Sequence, residues 1–367
     1  MSLSSSTNFT LGQNKPLINR EQAYVLDRKL LSVHSEDRDI TKYPNAHTFE
    51  IMLPEPLLNV QSLRLVQATM PHKFYTFTDS YQNTQLAFTV APGVYEGPPF
   101  VAIIQEGTYT PGQLALELAG KMNAAVAAVD DDALIGSVFN VFYDEVSDKL
   151  WFGNSGLAFT LECGSQLLYD TPNCGSQPVV WFNWANWGLP YNLGFQKQTY
   201  TSTFLAQGVV FDYLCPDAVC PGGAAIINYI QAPLALVIHS DTAIYLEVDK
   251  YNNYDEMYPY NQSSRAPLDN YASNGRVNAA FAKIPIQWLS NGSRTGGLDS
   301  RTLFLQNIVQ YEPPIERIAR LKFRFRFHDG RLVDFQNYQF DFSLEFNSLK
   351  NEIAKAYQVR VPVAYVL

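Results

Sequence analysis

The residues of this chain best equipped for chemistry are five histidines, four cysteines and a few paired carboxylates. His34, His47, His72, His239 and His328 stand apart, none at a ligand spacing from a second His, a Cys or a carboxylate on one helix. The run His34-Ser35-Glu36-Asp37 has the composition of a metal loop and equally of a solvated turn, and the turn is expected. His328-Asp329 has the look of a ligand pair, but Gly330 follows it, so it reads as a turn. Asp37/Asp39 and Asp255/Glu256 lie in loops with no partner acid that the sequence identifies. Cys163 and Cys174, and Cys215 and Cys220, lack the two-residue spacing of a zinc knuckle, so free thiols in a reducing compartment are expected. There is no Gly-rich phosphate loop, no Gly-x-Ser-x-Gly elbow and no defensible Ser/His/Asp set. The expectation is a chain without catalytic residues, metal ligands or cofactors, and without a small-molecule substrate.

The chemistry left is that of surfaces. Arg317, Arg320, Lys322, Arg324, Arg326 and Arg331 place six cations within 15 residues of a chain whose net charge is −9. The plain interpretation is a solvated face with cross-strand pairs such as Arg324–Asp334, each worth under about 1 kcal/mol. The functional one is a docking face for an acidic partner, with nucleic acid or lipid headgroups as weaker options. Acidity overall argues against a protein that coats nucleic acid, and no specific nucleic acid is expected. Trp181, Phe182, Trp184, Trp187, Tyr191 and Phe195 crowd a second segment. They fit a glycan-stacking platform or protein anchor, and equally rings that plug the end of a β-sandwich.

Positioning those side chains falls to strands. Phe323, Phe325 and Phe327 alternate with Lys322, Arg324 and Arg326, the period of a strand with one buried face. A three-residue loop with Gly330 in the left-handed region sets Phe325 opposite Val333, Phe323 opposite Phe335 and Arg324 opposite Asp334. A two-residue Asp-Gly turn would mix the faces. Further strands are expected over residues 48–53, 59–70, 86–90, 138–143, 149–152, 159–162, 234–238, 244–248, 281–288 and 340–346. One helix is clear: Thr110 as N-cap, Pro111 at the first position and Gln113 closing a capping box, then Leu114, Leu118 and Met122 at four-residue spacing. No apolar run approaches the ~20 residues of a membrane span, and the N-terminus lacks a signal-peptide layout.

These elements predict a mainly β fold: jelly-roll-like antiparallel β-sandwiches with one inserted helix over about 111–124. Residues 1–30 are expected as an extended arm and 31–346 as the body, with an inserted α+β segment over about 96–225. Residues 347–367 are expected as a C-terminal helix and tail. Leu57-Leu58-Asn59-Val60 through Leu65 echoes Pro314-Ile315-Glu316-Arg317 through Lys322, which suggests that early and late strands lie together.

Several blocks resemble a known family. His34-Ser-Glu-Asp-Arg-Asp-Ile-Thr-Lys-Tyr-Pro-Asn with Phe49-Glu-Ile, Asn59-Val with Leu63-Arg-Leu, Gly107-Thr-Tyr-Thr before the helix ending in Met122-Asn123, Leu193-Gly-Phe195 and Phe281-Ala-Lys-Ile284 carry the likeness. The last is Ile315-Glu-Arg-Ile, running through Leu321-Lys-Phe-Arg-Phe-Arg-Phe-His-Asp-Gly to Phe335. Together they resemble minor capsid proteins of large icosahedral double-stranded DNA viruses, the chlorella-virus kind especially. The resemblance implies a non-catalytic cement protein of the virion capsid, made and assembled in host cytoplasm, that bridges or supports major capsid capsomers from the inner side of the shell. Its implied partners are those capsomers, other minor capsid proteins and the inner viral membrane surface. The expected interface is the six cations above with Trp181, Trp184, Trp187, and Arg38 and Asp39 of the first block. The alternative is a glycan- or receptor-binding β-sandwich of a virion surface or vertex.

Overall fold

Stretches of period-two burial run through the two longest strands among the described residues, and the rest of the first of two units is hung on them. The computed structural model describes residues 9–10, 16–17, 24–71, 74–168, 187–204, 228–238, 241–257, 277–286, 295–299 and 309–351. The chain divides into one unit of residues 1–72, 243–256 and 278–367 and a second of residues 73–242 and 257–277. In chain order, the first unit opens with β1 (Phe9–Thr10), β2 (Pro16–Leu17), β3 (Tyr24–His34) and β4 (Thr48–Pro71). The second carries β5 (Gln85–Val90), β6 (Phe100–Ile103), α1 (Pro111–Ala127), β7 (Phe139–Asp144), β8 (Lys149–Asn154) and β9 (Phe159–Glu162). It continues through α2 (Leu189–Asn192), β10 (Thr199–Thr201), β11 (Thr203–Phe204) and β12 (Asn228–Gln231). The chain then runs through β13 (Ala243–Val248), β14 (Tyr254–Met257), β15 (Val277–Ala280), β16 (Ala282–Pro285), β17 (Thr295–Asp299), β18 (Val309–Arg326) and β19 (Asp341–Asn351).

The first unit is built on a seven-stranded antiparallel sheet in the order β16-β13-β18-β4-β19-β3, with β17 also on β4. Early and late strands therefore alternate in one sheet, and β4 and β18, which carry the echoed sequences, pair with each other. Phe49, Phe323, Phe325, Phe342 and Phe346 are fully buried on the inner face. Phe49 meets Phe323 at 5.4 Å and Phe323 meets Phe342 edge-on at 4.9 Å, the tilted geometry that aromatic quadrupoles favour.

At the tip of β18 the expected register holds for Phe325 and Val333 alone, since Phe323 pairs with Phe49 and Val248 instead of Phe335. Arg326 bridges to Leu332, Val333 N–H donates to the Phe325 carbonyl at 3.1 Å, and Gly330 sits at φ +90°. The return segment does not continue as a strand. It turns inward, and Phe335 and Phe340 cover Phe325 at 5.5 and 5.0 Å.

The second unit is a jelly-roll-like sandwich of two four-stranded antiparallel sheets, β10-β9-β5-β6 and β11-β12-β8-β7, around one core. Phe139 of one sheet contacts Phe88 and Phe159 of the other at 5.3 and 5.1 Å. α1 packs on β6 and β7, the end strands of the two sheets, and so shields two open edges. The Thr110–Gln113 capping box forms as expected, and Leu114, Leu118 and Met122 are buried.

Several expected boundaries move. Residues 24–30 belong to β3 rather than to an arm. Residues 347–351 continue β19 where a helix was expected, and the rest of that helix lies outside the described residues. Residues 234–238 form no strand, although Leu236 N–H and Val237 N–H still donate to Asp148 and Asn192 carbonyls. The second unit, residues 73–242 with 257–277, extends beyond the expected insert of 96–225. Residues 48–53 and 59–70 are parts of a single strand, because Pro54-Glu55-Pro56 is absorbed as a bulge between two stretches paired to β18.

Candidate partner interface

Cross-strand register decides which side chains share the outer face of the first sheet. Arg320, Lys322 and Arg324 of β18 stand opposite Met52, Glu50 and Thr48 of β4, and Arg317 stands opposite Leu58. All four cations are exposed. Met52 and Leu58, 70% and 55% exposed, lie among them as apolar side chains open to water. The row is partly neutralised. Arg320 Nη1 lies 3.5 Å from Glu50 Oε1, and Arg324 Nη1 lies 3.2 Å from Glu247 Oε2. The expected Arg324–Asp334 pair does not form, because β13 runs beside β18 and brings Glu247 directly opposite Arg324. The Asp334 carboxylate accepts from the Gln336 N–H instead.

Arg326 is a correction to the expected row. It is only 3% exposed, and its guanidinium bridges the carboxylates of Glu247 and Glu256. The guanidinium carbon lies 5.1 Å from the Tyr245 ring centroid. Turned as its surroundings require, the Asn278 amide oxygen accepts from Nη1 and Nη2 at 3.3 and 3.1 Å. His328 Nδ1 lies 2.8 Å from the other Glu256 oxygen, so this turn histidine joins the network rather than a metal. Burial, followed by the field and hydrogen bond of Glu256, pushes the Tyr245 phenol well above its usual range. Such a network locks the end of β18 and cannot be presented to a partner.

Arg331 is also withdrawn: its Nε binds the Asp329 carboxylate, and its guanidinium covers the Phe327 ring at 5.1 Å. Arg38 is spent on loop geometry, with its guanidinium donating to the carbonyls of Ser35, Tyr43 and Pro44. Asp39 Oδ1 accepts from Thr41 N–H at 3.0 Å, an Asx turn. Trp187 is buried in the sandwich core with Leu189, Leu193 and Phe195, and Lys197 Nζ caps its ring at 5.4 Å. Trp181 and Trp184 lie outside the described residues. The structure thus brings together Arg317, Arg320, Lys322 and Arg324, and adds Met52 and Leu58, which sequence reading missed.

A second charged cluster lies on the outer face of the same sheet. Glu345 is buried between Arg64, at 2.9 Å, and Arg28, at 3.6 Å. Burial opposes its charge. Hydrogen bonds from Arg64 and Asn347 and the fields of Arg64 and Arg28 outweigh that, and hold its pKa below the ordinary 4.5. Cys163 is a free thiol in the second core, and burial pushes its pKa far up. Among the described residues no group of three or more His, Cys, Asp or Glu is placed to hold a metal ion, and no helix is long and apolar enough to cross a membrane.

Residues 20–282 match the model of a family described as a family of unknown function, DUF5901. The chain belongs to that family. No curated protein matches the sequence significantly. Among solved structures it is similar to the mavirus penton protein, with 7% identity and a TM-score of 0.40 over 89% of this chain and 100% of that one. It is also similar to a chain of the Sputnik virophage solved by cryo-electron microscopy, with 11% identity and a TM-score of 0.39 over 91% and 99%. Neither likeness is close enough to transfer residues or roles.

Proposed function

We propose that the chain is a structural virion component, a minor capsid protein that supports or bridges major capsid capsomers from the inner side of the shell and carries out no catalysis. The observation that carries this reading is the mixed outer face of β4 and β18. Met52 and Leu58 face water from within a sheet, each opposite a cation, Arg320 and Arg317. An exposed apolar strip rimmed by charge is the kind of surface a partner covers. The apolar side chains supply burial, while Arg317, Arg320, Lys322 and Arg324 select an acidic partner and fix its register. The sequence blocks from residue 34 to residue 335 support placing that partner in a virus shell. The other expected partners, further minor capsid proteins and the inner viral membrane surface, belong to the same reading, as does assembly in host cytoplasm. Trp187, one of the rings the glycan-binding alternative would use, lies in the core.

Co-sedimentation with purified capsomers tests the reading. Arg317→Glu with Lys322→Glu should weaken capsomer binding at least about tenfold, two reversed charges at about 0.7 kcal/mol or more each, with an unchanged melting curve. Full binding by the double variant would overturn the proposal, and loss of folding would assign the row a structural role instead.

A further inference from the structure

β3 ends the seven-stranded sheet. It pairs with β19 along its full length, from Tyr24 opposite Asn351 to His34 opposite Asp341, and among the described residues no strand lies on its other side. Edge strands are usually blunted by shortness, bulges, proline or charged side chains, since a bare row of N–H and C=O groups recruits another strand. The opposite edge obeys that rule: β16 has four residues and ends in Pro285. β3 follows it only in the charges of Asp27, Arg28 and Lys29. It runs eleven residues, Tyr-Val-Leu-Asp-Arg-Lys-Leu-Leu-Ser-Val-His, without proline, glycine or any register shift against β19. Leu26 and Leu30, 54% and 64% exposed, flank Arg28 on one face, and Asp27 and Lys29 alternate on the other.

We propose that β3 is a homotypic docking edge: the β3 strands of two copies pair antiparallel about a two-fold axis through Arg28, joining two sheets into one. The argument for a second copy of this chain is the register. With Arg28 opposite its own counterpart, Leu26 of each copy meets Leu30 of the other, and Lys29 meets the Asp27 carboxylate, which also binds Lys350 of its own chain. One face then carries two apolar pairs and the other two opposite-charge pairs, the cross-strand contacts that stabilise sheets. Moving the axis one residue either way sets Asp27 or Lys29 against itself and Leu against Arg28. The two Arg28 charges that meet at the axis are each offset by the Glu345 carboxylate of their own copy, 3.6 Å away. Isologous contacts of this kind are the commonest route to a closed dimer. The pairing does not rest on the virion reading, and the Arg317/Lys322 variant leaves this edge untouched.

Cysteine scanning of the full chain tests the axis. Directly opposed residues in antiparallel strands have Cα atoms about 4.5–5.5 Å apart, within disulfide reach. Under mild oxidation Arg28→Cys should give a crosslinked dimer on a non-reducing gel, absent from the parent chain. Asp27→Cys and Lys29→Cys should crosslink poorly alone and well when mixed, which keeps the test alive if Arg28→Cys folds badly. Light scattering should give a dimer for the parent chain and a monomer for Leu26→Lys/Leu30→Lys with an unchanged melting curve. A parent chain monomeric at every concentration would overturn the proposal, as would Asp27→Cys crosslinking as well alone as when mixed with Lys29→Cys.

Discussion

Arg326 reaches Glu256 from the end of β18, and the two form a buried ion pair that also takes in Glu247, Tyr245 and His328. The last cation of an alternating exposed row is thereby the centre of an internal network. Removing one member of such a set leaves the others charged and unpaired, which costs more than the intact pair contributes. Arg326→Ala should destabilise the first unit by about 3–5 kcal/mol. Arg317→Ala, on the open part of the same strand, should stay within about 0.5 kcal/mol. Denaturant titration of the two variants separates these outcomes; equal effects would place Arg326 on the surface.

Glu345 makes the fold acid-sensitive. Its pKa is lowered in the folded chain, so its contribution is complete above the ordinary value of 4.5 and fades as pH falls through the folded value. Melting temperature should therefore drop on acidification below about pH 4.5. Glu345→Gln should reduce that slope while costing about 1–3 kcal/mol at neutral pH, since Arg64 and Arg28 lose their anion. A variant with the parent's acid slope would assign the sensitivity to other carboxylates.

The tip of β18 separates core from backbone effects. Phe325 is fully buried against Phe335, Phe340 and Phe342, and Phe325→Ala should cost about 3–5 kcal/mol. A Cβ added at Gly330 meets no atom within 4 Å, so Gly330→Ala is penalised by the positive φ alone, about 1 kcal/mol. Equilibrium unfolding measures both, and a neutral Gly330→Ala would argue for a different turn.

How much of this was readable from sequence depended on whether the signal was local. The Phe/Arg alternation and Gly330 sit within a few residues of each other, and they specify the register of Phe325 against Val333. The partner of Arg324 is Glu247, 77 positions away, and a local pattern reaches only Asp334. Alternation alone marks Arg326 as exposed; Tyr245 from β13 and Glu256 from β14 bury it. The first half of β3 reads as part of an arm because Asp27, Arg28 and Lys29 interrupt the apolar period with charge. The sequence places Met52 in a short strand over 48–53 and Leu58 in the break before the strand over 59–70, because Pro54-Glu55-Pro56 normally ends one. Only the pairing of β4 with β18 places those two side chains among the cations of one face.

Cryo-electron microscopy of intact virus particles is the most direct measurement of the proposed role. The fold should be found on the inner side of the major capsid shell, with Met52, Leu58, Arg317, Arg320 and Lys322 covered by an acidic surface of a neighbouring subunit. Particles that lack the chain, or that hold it with this face turned to solvent, would contradict the role.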